Sequence, residues 1–316
     1  MTKTIFVSNR LPVRIDESGN PERTTGGLAS ALEAIETEGE KLWIGWSGQA
    51  DEDIPDKPQL AGQLRQLQIE PVFLSQLEID GFYEGYSNAT LWPLLHGMTQ
   101  RAQFSDESAS LYRTVNEYFA RAILKVAEEG DIVWIHDYHL FLLPALLRAE
   151  RPDLRIGFFL HTPFPSSDIL RTLPERKEIL LGLLGADLIG FHTYNYLRHF
   201  RSSLLRVLGV ETEHDSLYFK GRKHQLGVFP IGHNHKGFAE AMATEAFAEA
   251  QANLKEHLDD RKLVLNVERL DYTKGVPQKL DAIRHFLENN PEQRDNIMFL
   301  IIAVPSRQNV EEYADL

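Results

Sequence analysis

Cysteine is absent from the 316 residues. Its absence excludes disulfides, thiolate catalysis and Cys-ligated zinc. Long hydrophobic runs are missing too, since stretches such as 297–304 are far too short to span a bilayer. No basic segment with an apolar core precedes the strand-like Thr4-Ile5-Phe6-Val7, so no secretory leader is expected and the cytoplasm is the expected compartment. Positive charge is in deficit: 33 Lys plus Arg stand against 46 Asp plus Glu, a formal charge of −13. An acidic surface argues against non-specific binding to nucleic acid or to an anionic membrane. It leaves room for an anionic substrate, because a few placed cations suffice for a local positive pocket. What is present is ordinary for a globular chain, with 43% hydrophobic and 25% charged residues. The length fits about two domains, and no repeat or low-complexity tract interrupts it.

Short β-branched and aromatic runs alternate with longer amphipathic stretches. Strands are predicted at 4–8, 42–46, 70–73, 132–136, 156–161, 188–192, 225–230, 263–267 and 298–304. Helices are predicted at 28–38, 108–129, 141–150, 175–184, 194–208, 237–258, 276–289 and from 309 onward. Several strands are apolar throughout, as strands of a parallel sheet covered on both faces must be. The fold class is therefore α/β, with doubly wound Rossmann-like lobes. The polar, turn-like stretch 211–223 suggests a boundary, giving a first lobe over 1–224 and a partial second lobe over 225–316 with about three strands.

In open α/β sheets ligands gather outside the carboxyl ends of the strands, and this chain repeatedly places polar groups there. The first strand runs into Ser8-Asn9-Arg10, and Gly26-Gly27 opens the next helix. Glycines at a helix N-terminus let N–H groups approach a phosphate, though a Gly-Gly turn is more often structural. The strand at 132–136 ends in His136-Asp137-Tyr138-His139. Asp137 suits sugar hydroxyls or a proton transfer, while the histidines equally suit hydrogen-bonded packing at a sheet edge. No further carboxylate cluster stands nearby, so no metal is expected. The next strand ends in His161-Thr162-Pro163-Phe164-Pro165-Ser166-Ser167-Asp168. Its prolines fix an extended loop and its serines offer N-cap chemistry. Arg269 and Lys274 flank a strand-to-helix turn, where two cations suit a departing diphosphate; pairing of Arg269 with Glu268 or Asp271 on the surface is the alternative. The stretch from Gly81 to Pro93 is rich in aromatics with polar tips and has few reasons to be buried wholesale, which suits carbohydrate faces and rims.

These segments have a shared likeness. Ser8-Asn9-Arg10-Leu11-Pro12, Gly26-Gly27-Leu28, Gly45-Trp46-Ser47-Gly48 and Ser87-Asn88-Ala89-Thr90-Leu91-Trp92-Pro93 resemble the retaining glycosyltransferases of family 20 that make trehalose 6-phosphate. So do His136-Asp137-Tyr138-His139-Leu140, His161-Thr162-Pro163-Phe164-Pro165 and Val267-Glu268-Arg269-Leu270-Asp271-Tyr272-Thr273-Lys274-Gly275. The likeness runs in order from Thr4 to about Tyr313. It implies a GT-B architecture with both substrates in a cleft between lobes. It implies transfer of glucose from UDP-glucose, or another nucleotide-glucose, to glucose 6-phosphate with retention, needing neither metal nor cofactor. By the same resemblance, Arg10 and Arg307 would hold the acceptor phosphate, Tyr83 and Trp92 would line the acceptor site, and Asp137 would hold acceptor hydroxyls. Gly26, Gly27 and His161 would face the donor, while Arg269 and Lys274 would stabilise its departing diphosphate. By that resemblance Asp137, His161, Arg269 and Lys274 would form the catalytic set.

Two departures stand out. The family's Gly-Ile-Asp is replaced by Gly232-His233-Asn234-His235, which bears on the local loop and hinge. The family's later Asp-Gly-Met-Asn-Leu-Val stretch and its following Glu, which hold donor diphosphate and ribose, are absent. The second lobe is therefore expected to be incomplete, with an open sheet edge and an uncovered apolar face that favour a homo-oligomer, and little turnover is expected from the chain alone. The alternatives are a non-catalytic sugar-phosphate-binding or regulatory subunit and a related glucosyl-polyol-phosphate synthase. Arg10, Tyr83, Trp92 and Arg307 together favour glucose 6-phosphate as acceptor.

Overall fold

The computed structural model describes residues 2–16, 19–23, 32, 35, 37, 39–232 and 235–304. The chain divides into two compact units, Met1–Gly232 and His233–Leu316. Among the described residues no helix is long and apolar enough to cross a membrane.

The first unit is built on an eight-stranded sheet in the order β5-β4-β1-β6-β7-β8-β10-β9. The strands are β1 (Thr4–Arg10), β4 (Lys41–Ala50), β5 (Ile69–Leu74), β6 (Ile132–His136), β7 (Arg155–Leu160), β8 (Leu188–Phe191), β9 (Ser216–Phe219) and β10 (Arg222–Val228). A separate antiparallel pair is formed by β2 (Val13–Ile15) and β3 (Pro21–Arg23). All neighbours in the large sheet are parallel except β9 and β10. Parallel strands covered on both faces have no polar side, and β1 is buried continuously from Ile5 to Asn9. The chain enters at β1, builds outward through β4 and β5, then returns to build β6, β7, β8 and β10 on the other side. The strand order therefore reverses between β1 and β6, the position where such sheets open a crevice at their carboxyl edge.

The helix Asp106–Val126 shows how sequence makes an element here. Ser105 caps it by accepting from the Ser108 N–H, and Asp106 and Glu107 lie in the first turn, where the helix dipole favours them. Its buried residues Tyr112, Val115, Asn116, Phe119 and Ile123 repeat at three- and four-residue spacing. Against it packs a segment that pattern reading leaves unassigned, Ile79–Leu91, which is π-helical and continues into the helix Trp92–Leu95. Ser75 and Glu78 start it with a reciprocal capping box. The aromatics of this segment, read as too many to bury together, are largely buried. Phe82 and Tyr86 meet Tyr112 at ring separations of 5.7 and 4.6 Å, being four residues apart and so on one face of the helical segment.

The expected lobe boundary at 224/225 falls inside β10. That strand pairs in parallel with β8 and antiparallel with β9, so it closes the first sheet and carries the first unit to Gly232. The helix predicted over 237–258 is two helices, His235–Ala241 and Glu245–Leu258, the second started by a Thr244 cap. The predicted helices at 28–38 (except residues 32, 35 and 37) and from 309, and the replaced pair His233-Asn234, lie outside the described residues.

The second unit pairs β11 (Lys262–Arg269) with β12 (Ile297–Val304) in parallel and carries the helix Val276–Asn289. Val264, Leu265, Val267, Ile302 and Val304 on these strands are 45–62% exposed.

Candidate active site at the carboxyl edge of the first sheet

Two central strands lose regular register as they reach the crevice. The β1 pairing with β4 shifts between Val7 and Arg10, and the β4 pairing with β5 shifts between Trp46 and Ala50. Such irregularities re-aim side chains. Here they bring the Arg10 guanidinium over the Trp46 ring, 4.8 Å from its centroid, a cation–π seat that holds the charge in place. Ser8 anchors the turn by donating to the Arg10 carbonyl and accepting from the Trp43 indole N–H, both at 2.8 Å. Gly48, with φ +96°, passes directly beside the guanidinium, and a Cβ there would overlap its Cζ and Nη2 atoms. Arg10 keeps solvent access although the concave surroundings desolvate it. Burial lowers its pKa from the ordinary value, and the nearby Tyr83 and Glu84 oppose that shift. An arginine still carries its charge under these conditions, so the crevice presents a fixed, poorly hydrated cation.

A row of rings continues from this cation. Trp46 meets the edge of Tyr83 at 5.6 Å, Tyr83 stacks on His139 at 5.9 Å, His139 lies 4.0 Å from Tyr138, and Tyr138 lies 5.7 Å from Trp92. Tyr83 is half-buried, whereas Trp92 is buried. The buried side chain of Asn9 points its Oδ1 at no hydrogen-bond donor among the described residues.

At the end of β6, Asp137 adopts φ 72° and ψ 171°, a region populated almost only by glycine. Its N–H donates to the Phe159 carbonyl at 2.8 Å, and its Oδ1 accepts from the His161 N–H at 3.2 Å. The carboxylate is thus tied to the first residue after β7. His136 is fully buried, with Nδ1 3.1 Å from His161 Nε2. It therefore acts as hydrogen-bonded packing at the sheet centre, not at an edge. His192, at the end of β8, continues the row with its ring 5.7 Å from that of His161. Burial holds His136 well below the usual histidine pKa with help from His161, pushes His161 down to about 4 with help from His192, and lowers His192. The row is neutral at pH 7 and serves as donors and acceptors without charge.

Stability should follow. Because the folded pKa values lie below the unfolded value of about 6.5, the unfolded chain takes up protons first as the pH falls. The stabilisation is full above pH 6.5 and is lost toward pH 4, by about 3 kcal/mol for His161 alone. Urea midpoints measured between pH 7 and 4 should fall accordingly, and His161→Gln should flatten the curve. An unchanged slope in that variant would remove His161 from the account.

In the second unit Arg269 and Lys274 lie on either side of a tight turn. Asp271 is fully buried and caps it, accepting from the Thr273 N–H at 2.9 Å and hydroxyl at 2.8 Å. Arg269 stands 3.7 Å from the Asp271 carboxylate, so the pairing alternative holds for that residue, with a buried partner in place of a surface one. Glu268 is taken by Lys279. Lys274 is exposed, just before Gly275 (φ +65°) and the helix Val276–Asn289.

The first unit thus brings Arg10, Tyr83, Trp92, Asp137 and His161 into one contiguous set, and the second holds Arg269 and Lys274 on one turn. Gly26, Gly27 and Arg307 lie outside the described residues. Pattern reading overlooked Trp46 as the seat of Arg10, Gly48 as its clearance, and Glu84 and His192. The rule that ligands gather where parallel strands end would have found His192, since it follows β8 directly.

Comparison with known proteins gives a consistent result. The glycosyltransferase family 20 model matches residues 2–316. Alpha,alpha-trehalose-phosphate synthase [UDP-forming] A of Dictyostelium discoideum is 43% identical over 319 residues, covering 99% of this chain and 43% of that protein. The Schizosaccharomyces pombe alpha,alpha-trehalose-phosphate synthase [UDP-forming] is 42% identical over 99% of this chain and 63% of its own length. The chain therefore spans 43% and 63% of the lengths of these two relatives. Among solved structures, the Burkholderia xenovorans UDP-forming synthase in complex with glucose-6-phosphate superposes with a TM-score of 0.85 at 29% identity, covering all of this chain and 68% of that one.

Proposed function

The chain belongs to glycosyltransferase family 20, and from that membership we propose that it serves the retaining transfer of glucose from UDP-glucose to glucose 6-phosphate, yielding trehalose 6-phosphate and UDP. The observation that carries this reading is the crevice between β1 and β6. It sets a fixed Arg10 cation at one end of a ring-lined surface that continues to Tyr138 and the adjoining Asp137. A sugar phosphate matches that layout, with its phosphate on the guanidinium, its apolar face on the rings and its hydroxyls on the carboxylate. The Burkholderia xenovorans relative in complex with glucose-6-phosphate supports the acceptor.

In the proposed step the bond between the glucose anomeric carbon and the UDP oxygen breaks, and the acceptor hydroxyl oxygen bonds to that carbon on the same face. The hydroxyl proton passes to the leaving diphosphate. Growing charge on that group is the load assigned to Arg269 and Lys274, and Asp137 would orient the acceptor, with Tyr83, Trp92 and, beyond the described residues, Arg307 around it. Gly26, Gly27 and His161 are assigned to the donor.

Calorimetric titration of glucose 6-phosphate, with Arg10→Ala as control, tests the acceptor assignment, and UDP release from UDP-glucose with and without glucose 6-phosphate tests the transfer. Binding that survives Arg10→Ala would refute the acceptor site. Lys274→Ala should weaken UDP binding at least about tenfold, the loss of a charge-assisted contact, and leave glucose 6-phosphate binding unchanged. The opposite pattern would exchange the roles of the two units.

A further inference from the structure

We propose that the first unit holds a second anion site, distinct from the crevice, which takes a compact phosphorylated small molecule. The site is a pocket of about 390 Å³ lined by Ser167, Arg171, Arg176, Lys177, Arg206 and Val207. Four of these six residues are cations and none is acidic, in a chain whose formal charge is −13. Three elements supply them: the short helix Ser167–Leu170 with the residue after it, the start of the helix Arg176–Leu183, and the π-helical turn Leu204–Leu208.

The acids near the cluster neutralise only part of it. Glu178 takes the Arg113 guanidinium through both carboxylate oxygens at 2.7–3.0 Å, and Glu175 accepts from the Tyr86 hydroxyl at 3.1 Å. Asp168 reaches Arg171 only at 3.8 Å, with both side chains largely in water, where such a pair contributes little. Arg176 is braced, its Nη1 donating to the Leu173 and Pro174 carbonyls at 2.9 and 3.3 Å. Ser167 is buried, and its hydroxyl bonds that of Ser202 at 3.4 Å. The side chains of Lys177 and Arg206 make no hydrogen bond or ion pair among the described residues and reach the solvent.

Cations held together with little counter-charge raise the local potential, and a bound anion relieves it. Guanidinium and ammonium groups converging from separate elements suit phosphate oxygens, and the volume falls in the usual range of roughly 300–1,000 Å³ for small-molecule sites. Four cations favour a ligand with more than one anionic group.

The test uses pyrophosphate as probe, titrated calorimetrically into the full chain. Arg10→Ala with Lys274→Ala removes the crevice cation and the diphosphate cation of the second unit, and Lys177→Gln with Arg206→Gln is added to that background; the Lys177 and Arg206 side chains are both exposed. The Arg10→Ala/Lys274→Ala protein should retain a pyrophosphate site, and the quadruple variant should bind at least about tenfold more weakly. Absence of binding by the Arg10→Ala/Lys274→Ala protein, or equal binding by the quadruple variant, would overturn the proposal. Neither result depends on the transfer reaction.

Discussion

Asp137→Gly is expected to be more stable than Asp137→Ala, the reverse of the ordinary order. At an unstrained position alanine is favoured over glycine by about 0.5–1 kcal/mol, because glycine loses more backbone freedom on folding. At Asp137 the backbone sits at φ 72° and ψ 171°, where a Cβ costs on the order of 1–3 kcal/mol. Both variants lose the bond from the carboxylate to the His161 N–H, so that loss cancels in the comparison and only the strain remains. Urea unfolding of the two variants measures the order directly, and an alanine variant as stable as the glycine one would show that the backbone there is relaxed. Both variants should also bind glucose 6-phosphate at least about tenfold more weakly than the parent, as expected on losing a hydrogen bond to a charged group. The strain thus lies at the residue whose carboxylate the proposed acceptor requires, and the two neighbouring strand ends hold it through Phe159 and His161.

Gly48→Ala should remove most of the proposed glucose 6-phosphate binding although no residue assigned to the phosphate is itself substituted. The substituted Cβ would overlap the Arg10 guanidinium and would sit at φ +96°. Arg10 must then leave its seat on Trp46, and the charge-assisted contact it offers a phosphate, about 1.5–3 kcal/mol, is lost with it. The expected signature is non-additivity: Arg10→Ala and Gly48→Ala each weaken binding by about tenfold to a hundredfold, and the double variant is no weaker than either. Independent effects that sum in the double variant would mean that Gly48 acts by some route other than Arg10. Calorimetry on the four proteins decides it.

Both expectations concern residues whose importance comes from neighbours distant in the chain. Gly48 lies 38 positions from Arg10, and Asp137 is held by the backbone of the next strand. No local pattern reports such pairings. The same holds for β10. Its residues read as a strand, but whether it opens a second sheet or closes the first depends on whether β8 offers a free edge. The aromatic stretch from Gly81 to Pro93 posed a related problem. Composition could not tell a sugar-binding surface from a buried helix, because burial depends on the complementary face of Asp106–Val126. The row His136, His161, His192 likewise exists only because β6, β7 and β8 lie side by side.

What the sequence determined by itself is what local physics controls. Strand β6 and the helix Val276–Asn289 have the predicted bounds, because apolar runs, turn residues and a proline in the first helical turn act over a few positions. The α/β class, the Ser166 cap and the placing of Asn9, Arg10, Asp137 and His161 just at or beyond strand ends follow from the same short-range rules. The ordered motifs also sufficed for the family. Tertiary structure alone decided the reversal of strand order between β1 and β6, the seating of Arg10 on Trp46, the strained backbone of Asp137 and the neutrality of the histidines. Each of these arises from desolvation and close packing between strands far apart in sequence, and such contacts exist only once the sheet has closed around them.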